Sequence, residues 1–322
     1  MLKLRYEHGF ALGGPVSFVF VYEQSIKAID SLVGSLWQRI YQFERQFSRF
    51  IPASELSIFN RQAGTWQTIT PEFYDLLYTA KRLAADTDQL FNPFILPALQ
   101  TAGYTKSFLP GHESDPHDDF SGRSVVPVSQ LQLEGQQACI PYDTALDLGG
   151  LGKGYLLESL TGRLGDGLSG YWISLGGDIL CAGLTAKQQP WQVRVQSAAS
   201  ADQDIGVITM PTQPSAVATS GTTLRQGRTA AGKPWHHIID PRTLKPAETD
   251  ISLASVCHSS ATYADVLASC AVIVGSRRAP GLMQSFGIQQ LIVQRPRRAP
   301  QVYGKNFAAF ADSKRPGVTR HA

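Results

Sequence analysis

Short apolar segments that alternate with glycine-containing turns dominate the chain after residue 125, and they limit what it can fold into. The pattern predicts strands near Val125–Leu133, Trp172–Leu175, Trp191–Gln196, Val207–Met210, His236–Ile239 and Leu253–His258. Only two helical patterns accompany them, one beginning near Lys153 and one over Ala261–Val274. Parallel strands need long crossover connections, usually helices, and there are too few helices to supply them. We therefore expect a mixed α/β chain with a mostly antiparallel sheet.

The first part of the chain predicts one strand at Val16–Tyr22 and two helices. Apolar residues recur at helical spacing from Ile29 to Phe47, and a second helix is expected to begin at Thr70 with Pro71 in its first position. Residues 105–124 are polar and rich in turn formers, which indicates an insertion or linker. Residues 311–322 are expected to form a flexible tail, and residues 1–310 a single domain.

The polar segment 105–124 contains several side chains that can bind metals. They are His112, Asp115, His117, Asp118 and Asp119. A metal site and a flexible acidic loop both explain them, and the sequence leaves the two interpretations open.

Composition excludes several classes of function. The 29 Lys and Arg residues against 26 Asp and Glu give a net charge of +3, which does not indicate a nucleic-acid partner. No apolar run reaches the roughly 18 residues that a membrane span needs. The four cysteines form no C-x-x-C pair, so reduced, buried thiols are expected. The first residues lack a signal-peptide pattern and a lipoprotein cysteine, from which we expect a cytoplasmic protein.

The densest chemical signal is D-L-G-G-L-G-K-G-Y at 147–155, where four glycines surround Lys153 just before a helix. Glycine lets the backbone approach a ligand closely, and a helix N-terminus attracts phosphate. The segment fits neither common phosphate-loop pattern. A purely structural glycine turn explains it equally well, so both interpretations stay open.

Two further turns and a histidine pair extend this set. The turns Ser174–Asp178 and Ala218–Thr222 are either phosphate- or ribose-binding loops or ordinary turns. In Trp235–Thr243, a histidine is either a general base or a structural residue. Asp265 and Ser269 are four residues apart and share one helix face, where they either bind a hard cation such as Mg²⁺ or stabilise the helix start.

Taken in order, these segments resemble the ApbE family, the FAD:protein FMN transferases. The matching segments are FSRFIPASELSIFN (47–60), LFNPFILPAL (90–99), DLGGLGKGY (147–155), SLGGDILCAG (174–183), ATSGTTLR (218–225), HHIIDPRTLKP (236–246) and ADVLAS (264–269). The resemblance extends from about residue 8 to residue 295. It implies a two-lobed α+β fold related to the T-fold, with a mostly antiparallel sheet and flanking helices.

The resemblance also implies a reaction and its residues. Family members use FAD and Mg²⁺ to transfer FMN to a threonine or serine hydroxyl of an acceptor protein, and they release AMP. The metal would be bound by the Gly150 carbonyl, Asp265 and Ser269, and His237 would be the general base, with Asp265 counted as catalytic beside it. The residues expected to contact FAD are Leu12, Phe50, Leu90, Phe91, Asn92, Asp147, Lys153, Gly176, Gly177, Thr219, Ser220 and Ile239.

The sequence departs from the family pattern at several positions, which keeps two alternatives open. Ser269 stands where a threonine is usual, Phe50 replaces a tyrosine, and Asn92 replaces an aspartate. Leu244 replaces a glycine where a positive φ is expected. The alternatives are a flavin-binding protein without transfer activity and an FAD pyrophosphatase that yields FMN and AMP.

Overall fold

The computed structural model describes residues 2–23, 25–106, 124–228, 234–310 and 319–321. The described chain divides into two discontinuous compact units. Unit 1 comprises Met1–Tyr41, Gly152–Gly221 and Thr249–Ala322, and unit 2 comprises Gln42–Leu151 and Thr222–Glu248. Each unit is described by itself below. The single domain over 1–310 stays a prediction.

Two predicted segments lie largely outside the described residues. Residues 107–123, which contain all the candidate metal ligands of the polar insertion, are among them. Of the predicted flexible tail, only Thr319–His321 is described, and it forms a short strand.

Seven α-helices occur in the described residues. They are α1 (Ile26–Phe47), α2 (Glu55–Arg61), α3 (Pro71–Asp86), α4 (Leu96–Thr101), α5 (Gly152–Thr161), α6 (Ala261–Val274) and α7 (Ala279–Phe286). The helix α3 begins as predicted, because the Thr70 side chain accepts a hydrogen bond from the Phe73 amide and Pro71 stands in the first turn.

The described residues form nineteen strands. They are β1 (Lys3–Ala11), β2 (Gly14–Tyr22), β3 (Gln67–Thr68), β4 (Gln132–Glu134), β5 (Gln137–Cys139), β6 (Leu168–Leu175), β7 (Asp178–Gly183), β8 (Gln192–Ser197), β9 (Ser200–Thr209), β10 (Ser215–Gly221), β11 (Gln226–Arg228), β12 (Pro234–His236), β13 (Ile239–Asp240), β14 (Lys245–Pro246), β15 (Leu253–His258), β16 (Gln290–Gln294), β17 (Gln301–Tyr303), β18 (Phe307–Ala309) and β19 (Thr319–His321).

Unit 1 is organised around a nine-stranded sheet in the order β1-β2-β6-β7-β10-β15-β16-β17-β19. All of its strand pairs are antiparallel except β17 with β19. The predicted fold class, a mixed α+β chain with a mostly antiparallel sheet and flanking helices, is confirmed.

The two faces of this sheet bury different partners. Helix α6 packs on β10 and β15, and α5 packs on α6. On the other face, the three-stranded sheet β18-β9-β8 buries alternate residues of the large sheet. Alternation of side chains along a strand allows both faces to be apolar at once. The thiols of Cys181 and Cys257 lie in this second core, and burial raises the pKa of each to about 12. All four cysteines are free; Cys181, Cys257 and Cys270 are buried and Cys139 is partly exposed.

Unit 2 is built on aromatic contacts among α1, α2 and α3. Phe73 lies between Phe47 and Phe59, at ring-centroid distances of 5.4 and 5.3 Å. A second, smaller core joins α4 to the strands that follow residue 234, through Leu99, Trp235 and their neighbours.

The structure corrects two strand predictions. Residues Val128–Gln130 form a 3-10 helix rather than part of a strand, so only the end of the predicted Val125–Leu133 segment is extended. The predicted strand His236–Ile239 is interrupted after His236 and resumes at Ile239. Strand β1 was not predicted because the residues of its pattern are mostly exposed.

Gly154 allows the close packing of α5 on the start of α6. A Cβ atom there would lie 2.7 Å from the Thr262 Cα and closer still to the Ala261 carbonyl oxygen, both backbone atoms. The two helices are also joined by Glu158, which accepts hydrogen bonds from the Thr262 amide and hydroxyl. Gly34, in contrast, is exposed in α1 with nothing within 4 Å of its Cβ position.

We expect Gly→Ala substitutions at these two helical glycines to have opposite effects on stability. Gly34→Ala should stabilise by up to about 1 kcal/mol, because alanine restricts the unfolded chain and fills open space. Gly154→Ala should destabilise by about 1–3 kcal/mol, because the new methyl group overpacks the α5–α6 contact. Denaturant unfolding of both variants measures the two changes in the free energy of unfolding. Equal changes of the same sign would contradict the prediction.

Candidate functional site

A buried ion-pair cluster occupies one end of the large sheet in unit 1. Lys153 in α5 forms an ion pair with Asp178 at the start of β7, and its Nζ lies 3.4 Å from Asp265 Oδ1 in α6. Both carboxylates are almost completely buried, at 3% exposure each. Three elements far apart in sequence therefore meet at one lysine.

The two carboxylates exceed the lysine in charge, and this changes the properties of Asp265. Burial raises the pKa of Asp265, the Lys153 charge lowers it, and the Asp178 charge raises it again, with a net increase. The Gly154 amide donates to Asp265 Oδ2 at 3.2 Å. The two carboxylates and the lysine together therefore carry a partly compensated negative charge at a fixed position.

Hydroxyl groups border these carboxylates. The Ser220 and Ser269 hydroxyls are 2.9 Å apart, and those of Thr219 and Ser255 are 2.8 Å apart. The Thr219 amide donates to Asp178 Oδ1 at 3.2 Å, which fixes the second carboxylate oxygen. We call Lys153, Asp178, Thr219, Ser220, Asp265 and Ser269 the sheet-end cluster.

Two glycine turns lie beside the sheet-end cluster. Gly176 and Gly177 have φ values of +60° and +98°, and a Cβ on Gly176 would lie 3.7 Å from Lys153 Cδ. The Gly176 amide donates to the Pro15 carbonyl, which brings in the β1–β2 turn where Leu12 has a φ of 57°. The structure therefore brings eight of the predicted site residues together in unit 1: Leu12, Lys153, Gly176, Gly177, Thr219, Ser220, Asp265 and Ser269.

Unit 2 contains a second cluster, centred on the guanidinium of Arg49. This group pairs with Asp147 through Nε at 2.7 Å and donates to the Tyr104 carbonyl at 2.9 Å. It lies over the rings of Phe50 and Tyr104, at 4.1 and 4.6 Å from their centroids. The Tyr104 ring also contacts the His237 ring at 6.0 Å. We call Arg49, Phe50, Tyr104, Asp147 and His237 the aromatic–arginine cluster.

Asp147 links this cluster to the glycine-rich segment. Its Oδ1 accepts a hydrogen bond from the Gly149 amide at 2.9 Å, and its own amide donates to the Pro93 carbonyl. Gly150 follows, with the Phe91 ring 3.7 Å from its Cβ position. The carboxylate is thus held in place on both sides.

Other predicted ligand contacts have structural roles in unit 2. Asn92 is buried, donates to the Val126 carbonyl, and accepts from the Phe94 amide. The Ile239 side chain is buried in the small core with Leu244, so any contact with a ligand would fall to its backbone. Leu90, two residues before Asn92, is half-buried.

The two adjacent histidines have different environments. His236 Nε2 is 3.0 Å from the Ala247 carbonyl, to which it donates, and burial lowers the pKa of this histidine. The burial and the hydrogen bond to the Ala247 carbonyl indicate a structural role for His236. His237 is half-buried, its amide donates to the Arg225 carbonyl, and its ring lies against Tyr104.

Sequence reasoning missed three residues of the two clusters, Asp178, Arg49 and Tyr104, and the neighbouring Arg225. The position of Asp178 after a Gly-Gly turn was visible, but its pairing with Lys153 was not. Arg49 lies inside a matching segment, and its ion pair spans almost a hundred residues. Tyr104 had no signal in the sequence. Arg225 ends a matching segment, and its guanidinium lies 5.4 Å from the Tyr104 ring centroid.

Two absences hold for the described part of the chain. Among these residues no group of three or more His, Cys, Asp or Glu side chains is arranged to hold a metal ion. Within the same ranges, every helix falls short of the length and apolar character that a membrane crossing requires.

The ApbE family model matches residues 13–292. The chain belongs to the ApbE family. Among curated proteins, it is 27% identical over 306 residues to the FAD:protein FMN transferase of Treponema pallidum, covering 87% of this chain and 82% of that one. It is 22% identical to the FAD:protein FMN transferase of Vibrio cholerae, covering 88% and 86%.

Solved structures of ApbE proteins share the fold. The apo flavinyl transferase ApbE of Pseudomonas stutzeri superposes with a TM-score of 0.78 at 20% identity, covering 97% of this chain and 95% of that one. The ApbE protein of Thermotoga maritima gives a TM-score of 0.81 at 22% identity, covering 92% and 96%.

The turn between β13 and β14 shows how this ApbE chain accommodates a departure from the family pattern. Leu244 has a φ of 56°, which confirms the positive φ expected at this position, and its amide donates to the Asp240 carbonyl. Its side chain is buried in the small core with Trp235 and Ile239. Apolar packing therefore offsets a backbone conformation that costs leucine roughly 1–2 kcal/mol.

We expect Leu244→Gly to be more stable than Leu244→Ala. Both variants lose the buried side chain and should be less stable than wild type by about 2–5 kcal/mol. Only alanine keeps a Cβ at the positive φ, so the glycine variant should be more stable than the alanine variant by about 1 kcal/mol. Denaturant midpoints show which of the two variants is more stable. At a position with an ordinary negative φ, the alanine variant would be the more stable one. If Leu244→Ala were the more stable variant here as well, the proposed backbone strain at Leu244 would be refuted.

Proposed function

We propose that this chain is an FAD:protein FMN transferase that moves FMN from FAD to a serine or threonine hydroxyl of an acceptor protein and releases AMP. The proposal rests on one observation above others. Lys153, Asp178 and Asp265 form a buried cluster at a glycine-lined sheet end, in a chain that matches the family over residues 13–292. The relatives bear the same function in their names.

The donor set of the sheet-end cluster fits Mg²⁺. This ion takes hard oxygen ligands and usually needs only one or two carboxylates, with phosphate and water completing its shell. Two buried carboxylates with one lysine leave a net negative charge, and the Ser269 hydroxyl lies on the same helix as Asp265. Within unit 1, Asp265 and Ser269 would hold the ion, which would supply charge neutralisation at the phosphates. The family resemblance adds the Gly150 carbonyl as a further ligand.

The protein's own residues would then position the reactants. Phosphoryl transfer depends on positioning and electrostatics more than on covalent help from the enzyme. Lys153, with the Gly177 amide and the hydroxyls of Thr219 and Ser220, would bind the pyrophosphate. Gly176 would allow its close approach, since the Gly176 amide itself is bonded to the Pro15 carbonyl. Asp178 would act as a positioning residue, because it fixes both Lys153 and the Thr219 amide.

The proposed reaction forms one bond and breaks another. The acceptor hydroxyl oxygen bonds to the phosphorus of the FMN half, the bond from that phosphorus to the AMP phosphate breaks, and the hydroxyl proton passes to His237. In unit 2, the Phe50 and Tyr104 rings and the Arg49 guanidinium offer flat surfaces of the kind on which an aromatic ring of FAD stacks. Leu12, Leu90, Phe91, Asn92, Asp147 and Ile239 complete the proposed contacts.

The test is incubation of the purified protein with FAD and Mg²⁺, with and without acceptor proteins that carry the family's flavinylation sequence. AMP release that requires the acceptor, together with a flavin mass gain on the acceptor, would support transfer. AMP without an acceptor and without a mass gain would instead support an FAD pyrophosphatase. Tight FAD binding with no AMP for several acceptors would support a binding protein.

We expect Asp265→Asn to lower FAD turnover by about 100-fold, because the shape is kept while the proposed ligand loses its charge. A second readout is independent of turnover. Mg²⁺ should raise the Tm of the wild-type protein but leave that of Asp265→Asn unchanged. The matched control is Asp166→Asn, an exposed carboxylate of unit 1 that should behave as wild type. Full turnover and a normal Mg²⁺ shift in Asp265→Asn would remove the metal assignment.

His237→Ala should slow transfer by about 10²–10⁴-fold, the usual contribution of a general base, while FAD binding is retained. Single-turnover transfer and FAD titration separate the two effects. His236→Asn is the matched control, since it removes a structural hydrogen bond to Ala247 and should affect the Tm rather than the rate. Loss of FAD binding with an unchanged rate at saturation would show that His237 is structural.

The cytoplasmic location expected from the sequence stays a prediction. Fractionation of cells that express the native gene would test it.

A further inference from the structure

In a long segment of unit 1, all of the Asp, Glu, Lys and Arg positions are occupied by basic residues. Between Asp265 and Asp312 the sequence contains no aspartate or glutamate. It contains the basic residues Arg277, Arg278, Arg295, Arg297, Arg298 and Lys305. In a chain whose net charge is only +3, this is a local concentration of positive charge.

Five of these residues lie in two turns that are joined to each other. Arg277 and Arg278 are exposed between α6 and α7, and Arg297 and Arg298 are exposed after β16. Asp250 connects the two turns: it accepts hydrogen bonds from the amide and hydroxyl of Ser276, at 2.9 and 2.5 Å, and lies 3.8 Å from Arg295. We call Arg277, Arg278, Arg295, Arg297 and Arg298 the arginine patch.

Asp250 does not neutralise the arginine patch. Its carboxylate is engaged by Ser276 and by the weak pair with Arg295, and the Nε atom of Arg295 is buried without a hydrogen-bond partner among the described residues. The four exposed guanidinium groups thus dominate the charge of these two turns.

The register of the sheet sets the arginine patch at the same end as the sheet-end cluster. Gly221, next to Ser220, pairs with Leu253, and Leu253 pairs with Gln294, the residue before Arg295. Two strand spacings, about 10 Å, therefore separate Gly221 from Gln294. On the helical side, Ser269 lies about 8 Å along α6 from its end at Val274, just before Ser276.

We propose that the arginine patch docks an acidic segment of the acceptor protein next to the reacting hydroxyl. This inference rests on the proposed function, which brings a protein acceptor to this sheet end. Guanidinium groups match carboxylates in geometry and attract them at long range, so the patch would raise the association rate and select acceptors with acidic residues near the modified one.

A protein partner fits these observations better than other polyanions. Nucleic-acid binding is expected of a domain with a much higher positive charge along a continuous face. An anionic membrane surface also attracts basic clusters, at about 1 kcal/mol for each residue near the surface. The reaction, however, requires a protein and not a lipid at the adjacent cluster.

Binding of labelled peptides to the full-length protein tests the proposal. The probe is a peptide of alternating glutamate and serine. The uncharged control is the same peptide with glutamine in place of glutamate. Two variants each reverse two arginines of the patch, Arg297→Glu with Arg298→Glu and Arg277→Glu with Arg278→Glu. The matched control is Arg163→Glu with Lys187→Glu, two exposed residues of unit 1 outside the patch with the same change in net charge.

We expect the wild-type protein and the control to bind the acidic peptide, and both patch variants to bind it at least about 10-fold more weakly at low salt. The difference should shrink as salt screens the charges. Equal loss in the control would attribute binding to net charge alone and overturn the proposal. No preference for glutamate over glutamine would also overturn it, as would patch-dependent binding to phosphatidylserine vesicles without peptide binding.

A second measurement separates this proposal from the proposed function. In the transfer assay, the patch variants should lower kcat/KM for the acceptor and leave the KM for FAD unchanged. Patch-dependent peptide binding by a protein that releases no AMP would leave the docking surface standing and refute the transferase. Transfer with acceptor kcat/KM unchanged in both patch variants would refute the docking surface alone.

Discussion

The ion pairs of Lys153 with Asp178 and Asp265 are the interaction on which much of unit 1 depends. Burial of two carboxylates carries a penalty of several kcal/mol for each ion unless charges and hydrogen bonds offset it. Lys153 offsets part of it, and the amides of Gly154 and Thr219 offset more. Burial and, to a smaller degree, the Asp178 charge still raise the pKa of Asp265 against the opposing Lys153 charge.

This constraint explains the glycines that surround the cluster. Gly154 has no room for a side chain because α5 must approach the start of α6 closely enough for Lys153 to reach Asp265. Gly176 and Gly177 adopt positive φ values in the turn beside the Lys153 side chain. The structural and ligand-binding interpretations of the glycine segments are therefore compatible, because a backbone without side chains leaves room for a ligand beside Lys153.

The sequence predicted elements where local pattern and burial agree. Helix α6 and strand β15 have the predicted bounds, since their apolar residues face a core throughout. It failed where tertiary context decides. Strand β1 is an exposed edge with a weak pattern, and residues Val128–Gln130 form a 3-10 turn inside an apolar run. The pairings Lys153–Asp178 and Arg49–Asp147 join distant segments, and no single-sequence pattern specifies such contacts.

Two of the departures from the family pattern fall on the scaffold of unit 2. Asn92 donates to the Val126 carbonyl and accepts from the Phe94 amide, and an ionised carboxylate could not make the first bond. Leu244 has a strained positive φ, and its side chain is buried in the small core. Two carboxylates buried around one lysine carry a desolvation penalty that flavin stacking alone would not require, and this argues for chemistry at the phosphates.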